Sequence, residues 1–342
     1  MLSIHEHIKD RLEISIEDLV KVIKSEKLNN VCTYNLSKKG KERQVVEVDK
    51  DTTLYYVQTI LLKFFSSINH FPEYVFGFQK HKSYYKFLDM HTTGNDETYF
   101  LKLDIQNFFT SLEAEKLLTN LVAQFEQVTA NQPIVKELLY AALTYNNKIP
   151  QGFKTSPFLS NYYFFIADLR IKKYCDKLNI KYSRYADDMI FSSYFKKNIY
   201  SNRTIKAFEI ILFDFNLKLN KSKTKLSKKE LCLNGYVVSN EVKLSMNKLK
   251  ELKRILFIIE QNKQKQTKDL LISINNHTYL HSSRKKNTRY FSEEYLKNYL
   301  SGYRSFLLSF IKENTHQKKW REISKKIILR IEKALLILYD LQ

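Results

Sequence analysis

RYADDMIF, residues 184–191, sets Asp187 beside Asp188 in a stretch that otherwise reads as an apolar hairpin. Adjacent side chains of a regular strand point to opposite faces, so neither aspartate can back up the other there. At a hairpin tip the twist brings both towards one point, where like charges are costly unless cations compensate. A divalent metal supplies that compensation. A third aspartate, Asp104, ends another strand-like run in LKLDIQNFF, residues 101–109. If the two runs are neighbouring strands, Asp104 and Asp187 can share two Mg2+ ions, one on a 3′ hydroxyl and one on a triphosphate. That is the apparatus of in-line nucleotidyl transfer. A lone pair of aspartates in a basic protein is usually a solvated turn. This pair has company, with DIxxFF upstream and QGxxxSPxLSN between.

Composition narrows the partner. The chain has 342 residues, 44% of them hydrophobic, enough for a substantial core and two or three subdomains. Its 57 basic against 36 acidic side chains leave a formal charge of +21, which favours a polyanion, by default nucleic acid. The N-terminal MLSIHEHIKDRLEIS has no apolar signal core, and IILRIEKALLILYDL, residues 327–341, is interrupted by Arg330, Glu332 and Lys333. Neither matches the roughly 20 uncharged residues of a spanning helix, so no membrane association is expected. Cys32, Cys175 and Cys232 lie far apart without a CxxC pair, which points to neither a disulfide framework nor a zinc knuckle and suits a reducing cytoplasm.

With only six glycines in the chain, each marks a sharp turn or a close approach of backbone. Gly77, Gly152 and Gly235 stand in FGFQKH, PQGFKTSP and LNGYVVS, the second bracketed by Pro150 and Pro157. DTTLYYVQTILLKFFSSI (51–68) and LSNYYFFIADLRIKKYC (159–175) have helical spacing, while TYFLKLDIQNFF (98–109) and YSRYADDMIFSS (182–193) read as strands. NGYVVSNEVKLS (234–245) reads as a hairpin turning at Ser239, Asn240 and Glu241. Beyond a boundary near Lys243, residues 245–261, 292–311 and 318–341 form three amphipathic helical patterns with basic faces, separated by a polar segment.

In their order these segments resemble the reverse transcriptases, most closely the bacterial retron type. LKLDIQNFF resembles the first palm motif, PQGFKTSPFLSN the template- and nucleotide-positioning motif, and RYADDMIF the YxDD motif. NKSKTKL (220–226) is similar to the lysine-bearing segment that follows and LNGYVVS to the primer grip. The matches run from about Lys38 to Ser239, and the basic C-terminal third resembles a thumb. The resemblance implies an α+β right-hand polymerase with fingers, a ferredoxin-like palm and a helical thumb. Residues 1–98 would form the N-terminal region and fingers, 99–242 the palm with part of the fingers in 113–150, and 243–342 the thumb. It implies RNA-directed DNA synthesis with two Mg2+ ions from a dedicated noncoding RNA, and a role in antiphage defence. The implied partners are that RNA as template and primer, an RNA–DNA duplex, deoxynucleoside triphosphates and an effector protein.

Residue by residue, the resemblance assigns catalysis to Asp104, Asp187 and Asp188, and metal binding to these and the Ile105 carbonyl. Phe109 stands as the gate under the incoming sugar, with Phe108 as a packing neighbour, and Gln151 and Gly152 approach the nucleotide. Arg43, with Lys41, in KKGKERQVV is the triphosphate clamp, because a guanidinium binds phosphate oxygens bidentately. Lys223 or Lys221 is the general acid for the leaving pyrophosphate. Leu233, Asn234, Gly235 and Tyr236 form the primer grip. RNA or duplex contacts fall to His91, Lys248, Lys250, Lys253, Arg254, Arg284, Lys285 and Lys286, with Tyr279, Tyr290, Tyr299 and Tyr303 as stacking candidates. The chain departs from the retron pattern in two places. Phe87-Leu88-Asp89-Met90 precede His91 where NAxxH would stand, and LNG (233–235) replaces VTG. Two further readings stay open. One is a defence polymerase of another kind, protein-primed or weakly templated; the other is an RNA-binding scaffold with an inactive polymerase fold.

Overall fold

Early in the chain β1 (Val31–Lys38) pairs antiparallel with β2 (Lys41–Val48) in a hairpin, Val31 opposite Val48. Val46 and Val48 turn their side chains into the core. The computed structural model describes residues 3–38, 41–68, 71–92, 97–126, 131–262, 267–277, 292–314 and 317–340. They divide into two units, Met1–Met90 with Glu97–Lys228, and His91–Asp96 with Lys229–Gln342.

The first unit is built on a four-stranded antiparallel sheet of β3 (Tyr99–Asp104), β4 (Lys181–Tyr185), β5 (Asp188–Ser193) and β6 (Lys225–Lys228), in the order β4-β5-β3-β6. Helix Ser156–Lys177 connects β3 to β4, and helix Asn202–Phe213 connects β5 to β6. This is the split βαβ topology of the ferredoxin-like fold. The first unit thus has the α+β, ferredoxin-like arrangement that the sequence leads one to expect of the palm. The long helix buries Phe164, Ala167, Ile171 and Cys175 at three- and four-residue spacing, the stripe that a sheet-packing helix needs. Phe191 of β5 stacks on Tyr182 at 5.1 Å and on Phe208 of the second helix at 4.5 Å, tying sheet to helix. Helices Ala114–Phe125 and Gln132–Leu143 are inserted after β3. Helices Ile4–Lys9, with a Ser3/Glu6 capping box, and Ile16–Asn29 precede β1.

In the second unit β7 (Leu231–Leu233), β8 (Tyr236–Val238) and β9 (Val242–Leu244) form a meander. Asn234 and Gly235 make the β7–β8 turn with φ of +45° and +95°, the conformation for which Asn-Gly is the favoured pair. The β8–β9 turn falls on Ser239, Asn240 and Glu241, as the sequence predicts. Among the described residues the helices Met246–Gln261, Thr267–His277, Glu293–Glu313 and Lys318–Asp340 follow. The second of these lies in the stretch read as a polar separator, because its only fully buried apolar side chains among the described residues are Leu270 and Ile274, too few for a visible stripe. The unit boundary also differs, falling between Lys228 and Lys229 rather than near Lys243. Tyr236 packs on Phe306 and Phe310 of helix Glu293–Glu313, which draws the meander to the thumb helices. Among the described residues no helix is long and apolar enough to cross a membrane. Cys32, Cys175 and Cys232 are free thiols.

Candidate active site

The two aspartate-bearing runs are neighbouring strands. Asp104, the last residue of β3, lies opposite Asp188, the first of β5, so their side chains share a face. Asp187 sits with Ala186 in the two-residue turn between β4 and β5. Ala186 has φ +54°, a left-handed backbone uncommon for a residue with a Cβ. The Ile105 N–H donates to the Asp187 carbonyl at 3.2 Å, and the Asn220 N–H to the Asp104 carbonyl at 2.8 Å, fixing the backbone on both sides of the carboxylates.

Charge around these groups is compensated unevenly. The Asp104 side chain, 3% exposed, accepts from Lys223 Nζ at 2.7 Å through Oδ2, while Oδ1 is buried with no hydrogen-bond partner. Asp188 pairs with Lys102 Nζ at 2.6 Å. Burial pushes the Asp187 carboxyl above its ordinary range, and the charges of Asp188 and Asp104 push the same way, with Lys223 opposing. A buried acceptor without a donor beside a carboxyl that resists ionising describes a site short of positive charge. The donor set therefore fits hard divalent cations. Among the described residues no three His, Cys, Asp or Glu side chains are drawn together as a closed metal cluster; lysines hold two of the carboxylates instead.

Beneath the turn lies a fully buried ion pair. Arg184 donates through Nε and Nη2 to Asp168 at 2.9 and 2.6 Å, and through Nη1 to Asn161 Oδ1 at 3.1 Å and to the Ala186 carbonyl at 3.0 Å. The Tyr182 hydroxyl donates to Asp168 at 2.6 Å, and the guanidinium lies 4.4 Å over the Phe164 ring. Burial raises the Asp168 carboxyl, and the Arg184 charge and hydrogen bonds pull it back. Arg184 thus grips the carbonyl of the strained residue next to Asp187.

The other assigned residues of the first unit differ in burial and in their partners. Phe108 is buried and Phe109 half-buried, their rings 5.6 Å apart. Lys223 reaches Asp104 at 2.7 Å, whereas Lys221 is exposed and lies 3.6 Å from Glu209. Arg43 is exposed on β2; the side chain of Lys41 lies outside the described residues. Gly152 makes its close approach to the chain itself. A Cβ there would stand 2.2 Å from the Val46 carbonyl oxygen, and the Val46 N–H donates to the Gln151 carbonyl at 2.7 Å. The glycine therefore seats β2, a demand independent of any nucleotide.

In the second unit Leu233 is half-buried and Asn234 exposed at the turn, but Tyr236 is 5% exposed and burial pushes its hydroxyl up to about 12. Its ring belongs to the thumb core, a correction to its assignment as a primer contact. His91 is likewise fully buried, which leaves it no surface for RNA. Lys248 and Lys250 are exposed and Lys253 and Arg254 half-buried, while Leu249, Leu252, Ile255 and Leu256 of the same helix are buried. Tyr299 and Tyr303 are half-buried with rings 5.0 Å apart. Arg284, Lys285, Lys286, Tyr279 and Tyr290 lie outside the described residues.

Lys102, Asn161, Asp168 and Arg184 were not singled out from sequence. Lys102 was findable, since it stands two residues before Asp104 and must share its face in β3.

A sequence model of the family "Reverse transcriptase (RNA-dependent DNA polymerase)" matches residues 36–274. The retron Ec86 reverse transcriptase of Escherichia coli is 29% identical over 229 residues, covering 64% of this chain and 67% of that one. The retron Se72 reverse transcriptase of Salmonella heidelberg (strain 579083-10) is 25% identical over 233 residues, covering 66% and 59%. The chain thus spans about three fifths to two thirds of the length of these relatives. Among solved structures, telomerase from Candida albicans is 12% identical with a TM-score of 0.48, covering 94% of this chain and 64% of that one. A foamy viral protease-reverse transcriptase is 18% identical with a TM-score of 0.36, covering 89% and 44%.

Proposed function

The chain belongs to the reverse transcriptase (RNA-dependent DNA polymerase) family, and from that premise we propose that it extends a primer along an RNA template at Asp104, Asp187 and Asp188. The observation that carries the reading is the register of β3 against β5. It opposes Asp104 to Asp188, hangs Asp187 from the adjoining turn, and leaves a buried Asp104 oxygen without a donor. Asp104, Asp187 and the Ile105 carbonyl would hold two Mg2+ ions, with Asp188 completing the acidic set; bound there, the ions supply Lewis acidity at the attacking and leaving oxygens. The protein's own groups do the rest. Phe109 excludes a 2′ hydroxyl by collision. Arg43, with Lys41, binds the triphosphate oxygens. Lys223, 2.7 Å from Asp104, gives a proton to the departing pyrophosphate. The exposed Lys248 and Lys250 meet duplex phosphates, which give affinity without sequence information.

Retron relatives support a finer proposal, in which the template is one dedicated noncoding RNA and the DNA product serves antiphage defence alongside an effector protein. One observation favours a second reading. Where the retron pattern has Asn-Ala, Phe87 and Leu88 are fully buried, and the Phe87 ring lies 5.7 Å from that of Tyr185. This segment serves the core, which supports a defence reverse transcriptase primed from a protein or a free end. Primer extension on an RNA template with Mg2+ tests the main reading. Wild type should incorporate deoxynucleotides and the Asp187→Asn, Asp188→Asn double variant should not; a wild type without incorporation would leave the scaffold, and activity retained by the variant would put the chemistry at another site. Sequencing the copurified nucleic acid separates the finer readings, a single RNA joined to DNA by a 2′–5′ branch marking the retron and an unbranched product the alternative.

A further inference from the structure

Phe78 occupies a conformation that its residue type disfavours. Its φ is +60°, a region left mostly to Gly and Asn, and for a bulky side chain a genuine outlier. The ring is 47% exposed, so core packing does not account for the strain. What the ring does meet is Phe109, centroid to centroid at 6.3 Å and edge-on at 63°.

The surroundings hold it there from three sides. Val75 bridges Arg184 in parallel; the Phe76 N–H donates to the Arg184 carbonyl at 2.8 Å and the Arg184 N–H to the Tyr74 carbonyl at 2.9 Å. Lys82 closes the loop by donating to the carbonyls of Pro72, Glu73 and Val75 at 3.0, 2.9 and 2.8 Å. Gly77 lies so close to the carboxylate turn that a Cβ would stand 2.5 Å from the Ala186 nitrogen. Its carbonyl accepts from Asn161 Nδ2 at 2.7 Å. The same amide accepts from Arg184, so one side chain pins both the Asp187 turn and the residue before Phe78.

We infer that Phe78 is a positioning residue for sugar discrimination, its ring bracing Phe109 so that the gate cannot swing away from a 2′ hydroxyl. The inference rests on the reading of Phe109 as that gate. The strain goes with a ring that stands outside the core, where Phe109 has Phe108 at 5.6 Å and Phe78 at 6.3 Å as its ring neighbours. A brace adds little to deoxynucleotide binding and acts on the competitor.

The test is single-nucleotide incorporation on an RNA template, with kcat and KM measured for a deoxynucleotide and its ribonucleotide. Wild type, Phe78→Ala, Phe78→Gly, Phe78→Tyr, Phe109→Ala and the Phe78→Ala, Phe109→Ala pair are compared. Phe78→Ala should lower the discrimination ratio about tenfold, the scale of one methylene's packing in a specificity pocket, through a lower ribonucleotide KM with deoxynucleotide kcat little changed. Phe78→Gly, which removes the ring while accepting the backbone, should do the same and guards against a folding defect. Phe78→Tyr should keep the ratio, and the pair should fall no further than Phe109→Ala alone. If Phe109→Ala lowers the ratio while both Phe78 truncations leave it within about twofold, the brace is refuted and the gate stands. If Phe109→Ala leaves the ratio unchanged, the gate reading fails and the brace with it.

Discussion

Asp168→Ala should unfold much of the protein's margin without touching a substrate. Arg184 and Asp168 are both fully buried. Removing the carboxylate strips the partner from the Nε and Nη2 of Arg184 and from the Tyr182 hydroxyl, leaving the guanidinium only Asn161 and the Ala186 carbonyl. An uncompensated buried charge costs about 3–5 kcal/mol, and the orphaned hydroxyl adds about 1 kcal/mol. Together they take a large share of the roughly 5–15 kcal/mol that holds a domain folded. Urea denaturation followed by far-UV circular dichroism should show the midpoint fall accordingly. Replacing both partners, Asp168→Leu with Arg184→Met, should recover most of the loss, because well-packed apolar pairs of similar volume match or exceed buried ion pairs. Polymerisation should not recover with it, since nothing then holds the Ala186 carbonyl next to Asp187. A single variant within about 1 kcal/mol of wild type, or a fully active double variant, would refute the reasoning.

Asp187 should behave in the opposite sense. Its folded-state pKa lies above the ordinary 3.8, so the folded chain holds this proton more tightly than the unfolded chain and loses stability as pH rises through that window. Asp187→Asn should therefore raise the urea midpoint at pH 7 in the absence of divalent ions, show no gain below pH 3.8, and abolish activity throughout. Phe108→Ala should cost about 3–5 kcal/mol as a core truncation, read as a lower melting temperature with sugar discrimination preserved. Gly152→Ala should weaken triphosphate binding as well as stability, since its φ of +116° and the Val46 oxygen at 2.2 Å both resist a Cβ; an elevated deoxynucleotide KM is the readout. Lys248→Gln with Lys250→Gln should lower the slope of log affinity for duplex against log salt by about 0.7–0.9 for each phosphate left unneutralised.

The carboxylates were legible because their chemistry is local. Asp104 and Asp187 each end or interrupt an apolar strand run, and the motifs around them point to those runs as neighbours, which the register of β3 against β5 shows. The support beneath them was not singled out, although a trace of it was present. In helix Ser156–Lys177, Asn161, Phe164, Asp168 and Ile171 fall on one face at three- and four-residue spacing, all buried. Polar side chains inside an apolar stripe signal a buried partner, but the partner, Arg184, is a neighbour only after β4 folds against the helix. Gly152 announced a close approach without saying of what, since only the tertiary fold brings β2 to it. Tyr236 was misplaced for a related reason. A motif's position along the chain does not reveal which face of a three-residue strand turns inward, and here Tyr236 and Val238 do.

The seat that Gly152 provides for β2 also makes the first hairpin a lever. Val46 and Val48 are sunk in the core and Val46 is bolted to Gln151, whereas Arg43 and Gln44 stand in solvent. Val46 is then the fulcrum, and Arg43, three residues out at about 3.3 Å each, lies roughly 10 Å along the free arm. On that arm a tilt of about 20° would carry the backbone of Arg43 about 3.5 Å, the difference between reaching a phosphate oxygen and missing it, while the buried valines would scarcely shift.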